Sequence, residues 1–164
     1  MATKQINVRR FSITTSKSFK DVVAGLESRI GHPDMMAFRK NISAVRTDSE
    51  LQKIVQAVTG SSGLMEFTRF DLGEVLRKEL GSRAPQSVRL VVGNPVTMKQ
   101  MVKFVPDAGS YAPVTILIDE RPDGIHLSYD EMVSFLAPYG NAEALQVAKN
   151  LDIKVEALMT SAAS

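Results

Sequence analysis

The chain has 164 residues, a length typical of one domain, with a net charge of +2 and no cysteine. The lack of cysteine excludes disulfides, thiolate-held metals, iron–sulfur clusters and cysteine nucleophiles. The sequence has no apolar run long enough for a membrane span and no secretory signal pattern at its start, so we expect a cytoplasmic protein without membrane contact.

Charge is distributed unevenly along the chain. Residues 1–46 contain nine Lys or Arg but only three Asp or Glu, whereas residues 47–164 are net acidic. The basic residues are scattered, and few aromatic residues lie between them, so nucleic-acid binding is not expected. We interpret the basic part as a surface that meets an acidic one on the same subunit or on a second copy.

Strand and helix patterns alternate in the first half of the chain. The first helix is well marked, because Ser18 is a candidate N-cap and apolar residues follow at helical spacing up to Gly31. Thr47 and Glu50 form a capping-box pattern ahead of the next helix. The predicted elements are strand 8–15, helix 18–30, helix 47–58, strand 64–70 and helix 71–80. Residues 33–46 show no sustained period and receive no assignment.

The helix predicted at 71–80 has the capping pair Asp71 and Glu74 and a single apolar stripe. Amphipathic helices bury such a stripe against a core. We therefore expect four side chains to face inward, namely Leu72, Val75, Leu76 and Leu80.

The second half of the chain begins with a short apolar strand, residues 88–92, which ends in Gly93-Asn94-Pro95. We expect this strand to be central in the sheet and buried on both faces. Asn94 is a candidate helix cap, and Pro95 suits the first helical position. The remaining predicted elements are a helix from 95, a loop at 106–110, hairpin strands 111–119 and 125–129, a short helix capped by Asp130, and a C-terminal helix at 141–160.

This order of elements indicates an α+β fold in two layers, a mostly antiparallel sheet packed by helices, in a single domain of residues 1–164. Three segments also resemble the bacterial domain-of-unknown-function 302 family. They are the Gly-Asn-Pro turn within residues 91–95, the Pro-led apolar strand 112–120, and the Asp-Gly turn with a Leu-Ser-Tyr strand end in residues 123–129.

The resemblance implies a TATA-box-binding-protein-like (TBP-like) fold of the β-α-β-β-β-β-α type, a homodimer, and no established activity. The class name describes topology and gives no reason to expect DNA binding. Relative to the family pattern, residues 31–62 are an inserted segment with a helix of its own, and we consider a lid, a dimer arm or decoration as its role.

Five polar or aromatic residues near strand ends are candidates for a ligand site. They are Arg69, Asn94, Tyr111, His126 and Tyr129. The alternative gives each a structural role, with Asn94 as a cap, the two tyrosines at the core edge, Arg69 in an ion pair and His126 as an ordinary half-exposed side chain.

His32 and His126 are also weak candidates for haem ligation, and Met35 and Met36 lie close to His32 in sequence. Methionines more often fill gaps in a core, and two histidines are too few for a multi-histidine metal centre, so no metal site is predicted. Serine-nucleophile, Walker and Rossmann motifs are absent from the sequence, which leaves catalytic residues unassigned.

The interpretation we favour is a cytosolic homodimeric binding module for a small apolar or haem-like ligand. The alternatives are an enzyme acting on a small organic substrate and a protein–protein interaction module. A deep apolar cavity would favour the binding module. Three converging polar groups, one of them with a shifted pKa, would favour the enzyme. An exposed apolar patch on residues 31–62 without a cavity would favour the interaction module.

Overall fold

Five strands and seven α-helices form the chain in the computed structural model, which describes residues 1 and 3–164. The strands are β1 (Arg10–Thr15), β2 (Met65–Asp71), β3 (Ser87–Gly93), β4 (Val114–Arg121) and β5 (Gly124–Asp130). The helices are α1 (Phe19–Glu27), α2 (Met35–Ala44), α3 (Asp48–Val58), α4 (Leu72–Leu80), α5 (Pro95–Val102), α6 (Met132–Leu136) and α7 (Ala142–Ala163). Short 3-10 turns follow α4, α5 and α6.

The strands form one sheet in the order β1-β5-β4-β3-β2, and every neighbouring pair is antiparallel. The predicted two-layer α+β fold is confirmed. The expectation that the Gly-Asn-Pro strand is central is wrong, because β4 occupies the middle and β3 lies next to the edge strand β2. Leu90 is buried while Arg89 is exposed, so β3 is also not buried on both faces.

Two clusters of buried apolar side chains hold the layers together. The main cluster joins β3, β4 and β5 to α1, α5, α6 and α7. The second cluster is built around Phe38 of α2, Val55 of α3 and Met65 of β2. The α2–α3 pair therefore packs beside β2 through a small core of its own.

Residues 35–44 form a helix that the sequence did not reveal. Asp34 begins it, since its carboxylate accepts hydrogen bonds from the backbone N–H groups of Met36 (2.8 Å) and Ala37 (3.0 Å). Phe38 is the one residue of α2 that is fully buried. A helix that buries so little leaves a weak apolar period, which explains the missing assignment.

Helix α4 corrects the prediction for its apolar stripe. Asp71 caps the helix as expected, but Leu72, Val75, Leu76 and Leu80 are all exposed, Val75 by 70%. The buried residue is Gly73, where a Cβ would lie 3.1 Å from the backbone of Pro85 and of Ser87. Helix α4 thus packs against the backbone of Pro85 and Ser87 through Gly73, and its apolar stripe is exposed to solvent.

The start of α6 differs from the prediction as well. Asp130 does not cap this helix, because its carboxylate is paired with Arg10 on β1. The N–H groups of Met132 and Val133 instead donate to the carboxylate of Asp152 on α7, at 2.8 and 3.0 Å.

Among the helices of the described residues, none has the length and apolar character needed to cross a membrane.

Candidate functional site

An apolar cavity of about 260 Å³ lies where the two core clusters meet. The second cluster supplies one wall through Met35, Phe38 and Ile42 of α2. The main cluster supplies the opposite wall through Met101 of α5 and Val114 of β4. The remaining lining residues are Arg39, Phe67, Gly93, Asn94, Pro95, Thr97, Met98, Ala112, Pro113 and Leu151.

The Gly-Asn-Pro turn forms the edge of this cavity, and hydrogen bonds hold it in place. The side-chain oxygen of Asn94 accepts from the N–H groups of Val96 (2.9 Å) and Thr97 (3.2 Å), and its amide donates to the carbonyl of Gly63 (2.9 Å). Asn94 is therefore the predicted cap of α5 and also ties this helix to the loop before β2. Its polar atoms are engaged in the fold, so it shapes the cavity wall.

Gly93 keeps space open at the same edge. A Cβ at this position would lie 3.2 Å from the Cβ of Pro113 and 3.5 Å from Cε2 of Phe67. The first distance is tighter than an ordinary van der Waals contact. A side chain at position 93 would therefore push apart two residues that line the cavity.

Among the described residues that line the cavity, Arg39 and Thr97 have polar side-chain atoms that form no hydrogen bond to another part of the chain. Within the described part of the chain, the guanidinium of Arg39 has no carboxylate within 4.0 Å. Arg39 is exposed and is the only charged residue among those that line the cavity. The cavity thus has an apolar interior, and its one charged lining residue is exposed to solvent.

Of the five candidate ligand residues, Asn94 alone lines this cavity. Tyr129 is 1% exposed, and its hydroxyl donates to the carboxylate of Asp152 at 2.6 Å. Burial raises the pKa of Tyr129 far above its usual range, and burial also raises the pKa of Asp152. The pair belongs to the hydrogen-bonding group at the start of α6, so Tyr129 closes the core as the structural alternative predicts.

Tyr111 and Arg69 also take their structural roles. The ring of Tyr111 stacks on Phe135 with centroids 4.7 Å apart, and its hydroxyl lies 3.2 Å from that of Tyr139. Arg69 bridges Glu66 and Glu27, at 2.6 Å to each carboxylate, and these hydrogen bonds raise the pKa of its guanidinium.

The two histidines do not line the cavity, and they share no hydrogen-bond partner. His126 is held on the sheet by Asp123 (2.8 Å) and Thr14 (3.3 Å), and the hydrogen bond from His126 lowers the pKa of the Asp123 carboxyl. His32 contacts the carbonyl of Glu27 at 3.1 Å. Neither ring lines the cavity.

Sequence reasoning missed most of the cavity residues. Met35, Phe38 and Ile42 are spaced three and four residues apart, which is a helical period within the segment left unassigned. Met98 and Met101 repeat the same spacing on α5. The helical spacing of these residues, several of them methionines, is the feature of the sequence that could have identified the cavity wall.

The family model for the domain of unknown function DUF302 matches residues 39–162. The chain belongs to the DUF302 family. Its fold is similar to the crystal structure of an uncharacterized conserved DUF302 protein from Bacillus stearothermophilus, with a TM-score of 0.64. The two sequences are 10% identical, and the similarity covers 93% of this chain and 97% of the other. No curated protein matches the sequence.

The family match covers all of the residues that line the cavity except Met35 and Phe38. It begins at residue 39 and so includes most of α2, all of α3 and the Gly-Asn-Pro turn. The expectations of an insertion at residues 31–62 and of a TBP-like topology stay predictions. At 10% identity the likeness to the Bacillus protein shows the fold alone, and both descriptions leave the function open.

Proposed function

We propose that this DUF302 protein is a cytoplasmic, homodimeric module that binds a small, largely apolar ligand in the cavity between its two core clusters. The observation that carries the proposal is the cavity itself. All its lining residues except Arg39, Asn94 and Thr97 are apolar or glycine. Ligand sites usually span about 300–1,000 Å³, and the volume of about 260 Å³ lies just below this range, which limits the ligand to a small molecule.

The composition of the wall favours binding over catalysis. General acid–base chemistry needs a group that gains and loses a proton near neutral pH. Arg39 is the one charged lining residue, and a guanidinium stays protonated in proteins. The proposal does not include haem, because neither histidine lines the cavity. Haem binding stays a prediction, and an absorption spectrum of the purified protein tests it.

The exposed stripe of α4 supports the homodimer. Helix α4 begins two residues after Phe70 of β2, which is 49% exposed, and β2 is an edge strand. Gly31 bridges to this strand at Met65, so the second half of β2 is the open part of the edge. An exposed apolar surface beside an open strand edge is typical of a subunit interface.

A second copy of the same chain fits this edge by symmetry. If two β2 strands pair antiparallel about Phe70, the two Phe70 rings face each other. Arg69 and Asp71 keep the partners they have within one chain, Glu66 and Glu27 for Arg69 and the start of α4 for Asp71. Aromatic pairs directly across two strands are stabilising. The contact between the two Phe70 rings therefore supports pairing of this edge with a second copy.

Filling the cavity is expected to abolish ligand binding. Met98→Trp adds volume to the wall of α5, and we expect it to weaken binding of 1-octanol by about tenfold or more. The measurement is a titration with 1-octanol followed by heteronuclear NMR. In the wild-type protein the shifted signals should be those of cavity residues.

The matched control is Met36→Trp, since Met36 lies on α2 but is 83% exposed and does not line the cavity. This variant should bind 1-octanol as the wild type does. Thermal unfolding of both variants shows whether they are folded. Shifts that map outside the cavity in the wild type would overturn the proposal, whatever the behaviour of the variants. Native mass spectrometry of gently purified protein adds a direct search for a co-purified ligand.

A further inference from the structure

The charged residue that lines the cavity distinguishes between classes of apolar ligand. This inference rests on the proposed function and concerns the polar end of the ligand. Arg39 lines the cavity from α2 and is exposed. A lone guanidinium beside an apolar interior presents five N–H donors in a fixed, planar arrangement and no acceptor.

The carboxylates nearest to Arg39 along the chain are already engaged. Asp34 caps α2, and Glu50 accepts from the N–H groups of Arg46 and Thr47, both at 3.0 Å. Asp48 is paired with Lys99 of α5. The α2–α3 region thus leaves no free acidic partner for Arg39 among its described residues.

Arg39 is the charged group that lines the cavity. An anionic group of a ligand there would be attracted by the guanidinium, whereas a cationic group would be repelled. The arginine fork also matches the geometry of a carboxylate, which accepts two parallel hydrogen bonds.

We propose that the ligand class of this cavity is an apolar monocarboxylate, whose hydrocarbon part fills the space between the core clusters and whose carboxylate is held by Arg39. Burial of the hydrocarbon part supplies affinity, and the guanidinium sets the orientation. The wall has no carboxylate, so a ligand with an amine in place of the acid group finds no charged partner there.

The test compares octanoate with 1-octanol, which have the same chain length and differ in charge. Burial alone favours the neutral alcohol, so tighter binding of the acid requires a specific partner. We expect wild-type protein to bind octanoate roughly fivefold more tightly than 1-octanol at neutral pH and low salt. Arg39→Met should remove this preference by weakening octanoate alone.

Lys40→Met is the matched control, because Lys40 is the next residue of α2, carries the same charge and does not line the cavity. It should change the affinity for either probe by less than about twofold. Equal affinity of the wild type for the two probes, or an equal loss of both in Arg39→Met, overturns the carboxylate inference and leaves the proposed function standing. Failure of both probes to shift the cavity signals overturns the proposed function itself.

Discussion

Replacement of Asp152 by alanine is expected to lower the free energy of unfolding by about 3–4 kcal/mol. The carboxylate accepts hydrogen bonds from the Tyr129 hydroxyl (2.6 Å) and from the N–H groups of Met132 (2.8 Å) and Val133 (3.0 Å). Tyr129 and Met132 are fully buried, so water does not replace the lost acceptor. A buried donor without a partner costs about 1–3 kcal/mol. Chemical denaturation at neutral pH measures the change.

Glu156→Ala is the control for this prediction. Glu156 lies one turn further along α7, and burial together with the nearby Glu131 and Asp152 carboxylates raises the pKa of its side chain. The ionised form of Glu156 is thus disfavoured at this position, and its replacement by alanine should change the free energy of unfolding by less than about 0.5 kcal/mol. A loss below about 1 kcal/mol for Asp152→Ala would contradict the assigned role, as would equal losses for the two variants.

The elements that could be predicted from the sequence are those specified by residues close together in the chain. The β4–β5 hairpin follows from Pro122-Asp123-Gly124, a turn whose residues set their own dihedral angles. Ser18 and the Thr47–Glu50 pair cap their helices as predicted, because a cap bonds to N–H groups two or three residues away. Each of these signals lies within a few positions of the structure that it specifies.

The features that escaped prediction depend on residues far apart in the chain. Asp152 caps a helix that begins 20 positions earlier in the chain. The predicted cap was Asp130, because it directly precedes that helix in the sequence. The stripe on α4 shows that amphipathicity predicts an apolar face but does not reveal what covers it. The cavity depends on the gap between two separately packed clusters, and no single segment records the size of that gap. Of its wall, Asn94 was identified, because capping residues have a recognisable local pattern.

Introducing a charge on the exposed stripe of α4 is expected to separate the proposed homodimer. Val75 is 70% exposed in the single chain, so Val75→Glu should fold normally and keep its thermal stability as a monomer. In the proposed interface, the new carboxylate would be buried against apolar side chains of the second copy. Such burial costs several kcal/mol, which corresponds to a dimer at least about a hundredfold weaker. Sedimentation velocity over a range of micromolar concentrations measures the shift from dimer to monomer.

Ile153→Glu is the matched control for the dimer, because Ile153 is also a β-branched residue within a helix, is 65% exposed and lies on α7. This variant introduces the same charge on a different helix, so it should sediment as the wild-type dimer does. Dissociation of Ile153→Glu with an intact Val75→Glu dimer would place the interface on α7 and refute the α4 assignment. A monomeric wild type at these concentrations would refute the homodimer. The cavity is lined by residues of one chain, so ligand binding by the Val75→Glu monomer is expected to match that of the dimer.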